Sequence, residues 1–113
     1  MTIDLLYDDV TLQATLLDAV TATSDGEWIP TRGIYLMSVE IIGISGDTVQ
    51  IRGTNQHTRP LDTDDGQQLG TDITANWLFG NVIPVTWFKL MVSAYGAGTI
   101  TARFLGHLAP AAS

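Results

Sequence analysis

The sequence has no cysteine, few cations and no long apolar run, and each absence removes a class of protein. Without cysteine there is no disulfide framework, no thiolate nucleophile and no cysteine metal site. Five basic residues stand against twelve acidic ones, a net charge of −7. The cations (Arg32, Arg52, Arg59, Lys89 and Arg103) never form a run, which argues against the clustered positive face of a nucleic-acid binder. An acidic surface also disfavours anionic membranes, and no stretch approaches the roughly 18 apolar residues of a spanning helix. Met1-Thr2-Ile3-Asp4 has neither the basic start nor the apolar core of a signal peptide. These features predict a protein made in a cytoplasm, with no nucleic-acid or membrane partner.

Charge of either sign is scarce. Only 15% of the 113 residues are charged, against about 25% in soluble domains generally. Hydrophobic residues make up 45%, too many for a disordered chain. The length suits one domain over 1–113, and a domain this small exposes much of its surface. With so few charges to place there, part of that surface is expected to lie against other copies or a larger partner.

What is present is period-two alternation. In Thr48-Val49-Gln50-Ile51-Arg52, apolar and polar residues alternate as in a half-buried strand, and Thr99-Ile100-Thr101-Ala102-Arg103-Phe104 repeats the pattern. Ser45-Gly46-Asp47 precedes the first run and Gly96-Ala97-Gly98 the second, each following another strand-like run, 34–44 and 88–95. Two hairpins are predicted. Residues 10–23 admit two readings. Leu12, Leu16, Leu17 and Val20 have helical spacing with Asp9 as an N-cap, whereas Val10, Thr11, Thr15, Val20 and Thr21 favour strand. The β-branched content tips the balance to strand, so residues 1–24 form an N-terminal strand or arm. Residues 54–72 read as a long polar loop, and 73–78 as a short strand closed by Phe79-Gly80-Asn81.

Two internal echoes accompany these elements. Trp28-Ile29-Pro30 with Leu36-Met37 matches Val82-Ile83-Pro84 with Leu90-Met91 at an offset of 54, and Thr48, Val49 and Arg52 match Thr99, Ile100 and Arg103 at an offset of 51. The difference of three is odd, and an odd shift exchanges the faces of a strand unless a bulge absorbs it. The overall pattern predicts an all-β protein, an antiparallel β-sandwich or jelly roll of about six to eight strands.

Residues able to carry chemistry are few. Asp62-Thr63-Asp64-Asp65-Gly66 resembles a calcium loop, but glycine comes one position early and Ile73 stands where an EF-hand places glutamate. A solvated turn is the better reading. His57 and His107 lie fifty residues apart without a partner at metal spacing, no Gly-x-Ser-x-Gly elbow occurs, and Gly96-Ala97-Gly98 lacks the rest of a phosphate loop. No catalytic, metal or cofactor-binding residue is assigned, and no enzyme activity is expected. Trp28, Trp77 and Trp87 offer a carbohydrate-stacking platform or, in their apolar surroundings, core and interface packing, which fits them better. Arg52 and Arg103 are placed on outward strand faces, as interface hydrogen-bond donors or as ordinary surface charges. With Leu5 and Tyr7 from the N-terminal segment and Arg59 from the polar loop, the three tryptophans and two arginines make up the candidate interface residues.

The succession Asp25-Gly26-Glu27-Trp28-Ile29-Pro30, Val39-Glu40-Ile41 and Gly46-Asp47-Thr48-Val49-Gln50-Ile51-Arg52-Gly53-Thr54-Asn55 resembles small virion proteins of tailed phages. So does the ending, Phe88-Lys89-Leu90-Met91-Val92-Ser93 with Gly98-Thr99-Ile100-Thr101-Ala102. The resemblance covers about residues 25–105 and is a pattern of β elements rather than a catalytic signature. It implies a capsid decoration (cement) protein or another small structural component; such proteins commonly sit on the capsid surface as a homo-oligomer (trimer or dimer) and bridge subunits of the major capsid protein. The expected contact segments are the N-terminal stretch and the 54–72 loop.

Overall fold

Alternation becomes strand along most of the chain, and the strands bury one common core. The computed structural model describes residues 3, 5–8, 10–31, 33–82 and 85–108. Among them are nine strands, one more than the upper expectation: β1 (Leu6–Tyr7), β2 (Thr11–Val20), β3 (Ile29–Pro30), β4 (Ile34–Ile42), β5 (Thr48–Thr54), β6 (Gln67–Ile73), β7 (Trp77–Val82), β8 (Trp87–Ala94) and β9 (Ile100–Leu108). They form a five-stranded sheet, β1-β2-β9-β4-β7, and a four-stranded sheet, β3-β8-β5-β6, antiparallel throughout. The pairs β2·β9, β3·β8, β4·β7 and β5·β6 are the rungs of one long hairpin. Rolling that hairpin up brings β4 beside β9 and β5 beside β8. This is a jelly roll, with β1 added at one edge.

The N-terminal segment resolves as strand. β2 carries helix-like leucine spacing because its register shifts twice, between Thr15 and Leu17 and between Leu17 and Val20. Leu12, Ala14 and Leu16 face the core, and Leu17 faces it again after the first shift. A bulge inserts the extra residue, so alternation imitates a 3.6-residue period. Ala19 sits in the left-handed region at φ 51°, donating its N–H to Thr101 Oγ1 at 3.2 Å.

Both expected hairpins require correction. Their strands are present, but β4 and β5 lie in different sheets, as do β8 and β9. Each turn is an arch over the edge of the sandwich, and the two arches are bonded to each other. Ala97 N–H donates to the Ser45 carbonyl at 2.9 Å and Thr99 N–H to the Gly43 carbonyl at 3.1 Å. The buried carboxylate of Asp47 accepts the N–H groups of Ser45 at 2.8 Å and Gly96 at 2.5 Å. These bonds hold it below the usual carboxylate range, Ser45 contributing most and burial opposing. A Cβ on Gly98 would lie 2.1 Å from this carboxylate, so no other residue fits there unaltered.

The arches also settle the echoes. At an offset of 51 buried residues meet buried residues: Met37 with Phe88, Val39 with Leu90, Ile41 with Val92, Val49 with Ile100. At 54, exposed Leu36 would meet buried Leu90, so that match joins opposite faces. Its Ile83 and Pro84 lie outside the described residues.

Two further expectations change. The 54–72 segment is not loop throughout, because β6 begins at Gln67. β6 is an exposed edge with no continuous apolar face, and Gly70 at φ 75° interrupts it, so its sequence looks like a loop. β7 runs through Phe79-Gly80-Asn81 instead of stopping there, while Ile73 closes β6.

Candidate interaction surface

The residues proposed for contact fall on the two outer faces of the sandwich, which differ in construction. On the four-stranded sheet, the core alternation of Phe88 and Leu90 turns Lys89 outward, opposite Arg52 on β5. Lys89 is nevertheless 0% exposed. The segment 55–66 folds back over it, and its ammonium donates to the carbonyls of Asp62 and Asp64, both at 2.8 Å. The third side of the ammonium faces the Trp28 ring, 4.8 Å from its centroid. Burial lowers the Lys89 pKa, while Asp25, Asp65 and Asp62 pull it back up.

Trp28, expected at an interface, lies inside the protomer at 1% exposure. Its Nε1 donates to the Leu61 carbonyl at 2.9 Å. A Cβ on Gly66, whose φ is 59°, would come within 2.7 Å of the Trp28 ring, so the loop descends onto the indole with no room between. Arg59 completes the clasp. It donates to the Trp28 carbonyl at 2.8 Å, lies 3.3 Å from Asp62 and 3.6 Å from Glu27, and stacks 5.7 Å over half-buried Trp87. The acidic loop is therefore a strap: its carbonyls point inward to a resident cation. Among the described residues, no group of three or more His, Asp or Glu side chains gathers as a metal site would. Beyond the strap this face is mostly polar, with half-buried Met91 opposite Gln50. Arg52 donates to Gln50 Oε1, and Gln50 and Gln68 donate to Asp72 Oδ1 at 3.0 and 2.8 Å.

The five-stranded sheet has no such cover among the described residues. Its outward positions include Leu6, Leu36, Ile42 and Leu78, all exposed, and Leu105, half-buried. Arg103 sits among them, 3.2 Å from Glu40, both largely solvated. Tyr35 lies 6.4 Å from His107 on the same side. Tyr7 is exposed on the edge strand β1, whereas Leu5 is partly buried against the core. Trp77 is half exposed at the opposite edge, on β7.

The structure thus brings Trp28, Arg59 and Trp87 into one cluster with Arg52 nearby, and leaves Trp77, Arg103, Leu5 and Tyr7 on the other sheet. A three-tryptophan platform is not formed: one ring is internal, one lies under Arg59, and one belongs to the opposite sheet. Sequence reasoning missed Lys89 as the anchor of the strap. The available signal was a lone lysine inside the apolar run Phe88-Lys89-Leu90-Met91. It also missed Leu6, Leu36 and Leu78, which strand alternation would have turned outward had the pairing been known.

Fold and surface together define a small antiparallel jelly roll with one strapped face and one open, apolar-bearing face. No protein-family model matches the chain, and no curated protein matches it. Among solved structures, the crystal structure of SPBc2 prophage-derived protein YomS matches 92% of this chain and 99% of its own, at a TM-score of 0.66 and 12% sequence identity. At that identity the likeness is one of fold.

Proposed function

We propose that this chain is a non-enzymatic virion structural protein of a tailed phage, which oligomerises and decorates the capsid by binding its major capsid protein. The observation that carries the reading is the open face of the five-stranded sheet. Leu6, Leu36, Ile42 and Leu78 are exposed there in a chain with only 15% charged residues, a composition expected of surface that is covered in an assembly. The fold match to a prophage-derived protein over nearly the whole of both chains supports a phage setting. The mechanism is burial of apolar β surface at about 25 cal/mol per Å², offset by ordering costs, with repeated copies on a lattice adding avidity.

The test is co-sedimentation with purified capsids of the phage that encodes it. Saturation at a fixed ratio to capsid subunits is expected, with weaker binding for Leu36→Asp. If capsids of that phage pellet without the protein, the reading fails. Titration with a glycan panel, followed by tryptophan fluorescence, should give no response; a saturable shift would replace decoration with carbohydrate binding.

A further inference from the structure

The two sheets offer four edges, and three are blunted. β1 and β3 are two residues long. β6 is longer but carries the exposed Asp72, two glutamines, a glycine at φ 75° and a register shift against β5. Short strands, charges and irregular backbone are the ordinary ways in which edges avoid pairing with other chains. β7 has fewer of them. Its six residues include no charge and no proline, and although a register shift follows Gly80, its pairing with β4 is regular from Trp77 to Gly80. No described strand lies beyond it. Leu78 on its outer side is 68% exposed.

The charge distribution indicates what belongs against this edge. The chain carries −7 overall, so two copies repel wherever their acidic surfaces meet. Asp25, Asp62, Asp64, Asp65 and Asp72 are all associated with the four-stranded sheet and its strap. By contrast, β4, β7 and β9 contain one acid and one base, Glu40 and Arg103, already paired with each other. A neutral edge attracts neither a strongly basic nor a strongly acidic partner, but it accepts its own copy.

We propose that β7 pairs antiparallel with β7 of a second copy across a two-fold axis, joining two five-stranded sheets into one continuous sheet. An antiparallel strand is self-complementary under a two-fold, so the same residues serve both sides. The pairing gives strand partners to edge backbone groups of residues 78–80, beyond which no described strand lies, and shields Leu78. It rests on the assembly reading above, and it commits that assembly to dimers as the building unit.

Light scattering on a sizing column at tens of micromolar should give twice the 12.2 kDa chain mass. Leu78→Lys should give the single-chain mass with unchanged far-ultraviolet dichroism, since the replaced side chain is exposed. Leu61→Lys, at an exposed position on the strap, should leave the dimer intact. Hydrogen exchange should show the outward-pointing amides within residues 78–80 protected in the dimer and faster in Leu78→Lys, with the amides that face β4 as the reference. A monomeric wild type, a trimer, or a dimer that survives Leu78→Lys with rapidly exchanging β7 amides overturns the pairing. Capsid binding is read separately: a protein that binds capsids without this dimer refutes the edge pairing alone, and a β7 dimer that ignores capsids refutes the decoration role alone.

Discussion

The outer faces of the two sheets solve the same problem in opposite ways. Each is the solvent side of a sheet whose inner side is core, and each receives side chains too apolar or too costly to leave bare. The four-stranded sheet covers its own, drawing the acidic strap over Trp28 and Lys89. The five-stranded sheet leaves Leu6, Leu36, Ile42 and Leu78 in the open. A polar loop is thus no sign of an idle surface, because here it closes a face. The alternating, sparsely charged strands are what this chain leaves uncovered among its described residues.

The comparison breaks most readily at Trp28. If the strapped face is part of the protein's own stability, Trp28→Ala removes a fully buried ring together with the Leu61 anchor, and unfolding free energy should fall by about 3–5 kcal/mol. Chemical denaturation followed by far-ultraviolet dichroism measures it. A loss no larger than that of an exposed substitution would mean that the strap is dispensable.

Lys89→Met comes next. It deletes two hydrogen bonds from a charged donor, each contributing about 1.5–3 kcal/mol, but relieves the burial of an ammonium, so a net loss of about 2–4 kcal/mol is expected. The more specific result is local. Amides of residues 61–66 should exchange faster, and Trp28 emission should shift to the red as water reaches the ring, while the β2, β4 and β9 amides stay protected.

Lys89 also shows where the sequence stopped being legible. Individual strands could be read because alternation is local, and even the ambiguous β2 yielded to its β-branched residues. The pairing of those strands is not local. Whether Ser45-Gly46-Asp47 makes a hairpin or an arch depends on the carboxylate of Asp47 finding Gly96, forty-nine positions away, which no turn propensity records. In the same way, Asp62-Thr63-Asp64-Asp65 looks solvated until Lys89 is known to lie beneath its carbonyls. β6 escaped because an exposed edge needs no apolar face, and Trp28 was misplaced because the cover above it comes from a segment more than thirty residues on.

Asp47 belongs to the seam between the faces, so acid should act on both together. Its folded pKa lies below the ordinary 3.8. The stability it contributes is therefore present above that ordinary value and is lost as pH falls through the lower, folded one. Below pH 4, Asp47→Asn should show a smaller further loss of stability than the wild type, having lost this contribution already at neutral pH. Equal acid sensitivity of the two proteins would assign acid lability elsewhere.

The smallest effect is expected on the open face, where it sharpens the contrast. Arg103 and Glu40 approach to 3.2 Å, but their side chains are 59% and 42% exposed. Solvated pairs of this kind contribute under about 1 kcal/mol, because water screens the attraction and two flexible side chains lose freedom in forming it. Arg103→Ala and Glu40→Ala should each change unfolding free energy by less than about 1 kcal/mol, and the double variant by slightly less than their sum, because the pair is lost only once. If this face serves contact rather than folding, as proposed, it is insensitive in this assay and sensitive in another. The same two variants leave an unpaired charge on an otherwise neutral patch, so they should weaken association even where they leave stability unchanged. If instead they destabilise the monomer as strongly as Lys89→Met, the five-stranded sheet is also sealing itself, and the distinction between a strapped face and an open one is lost.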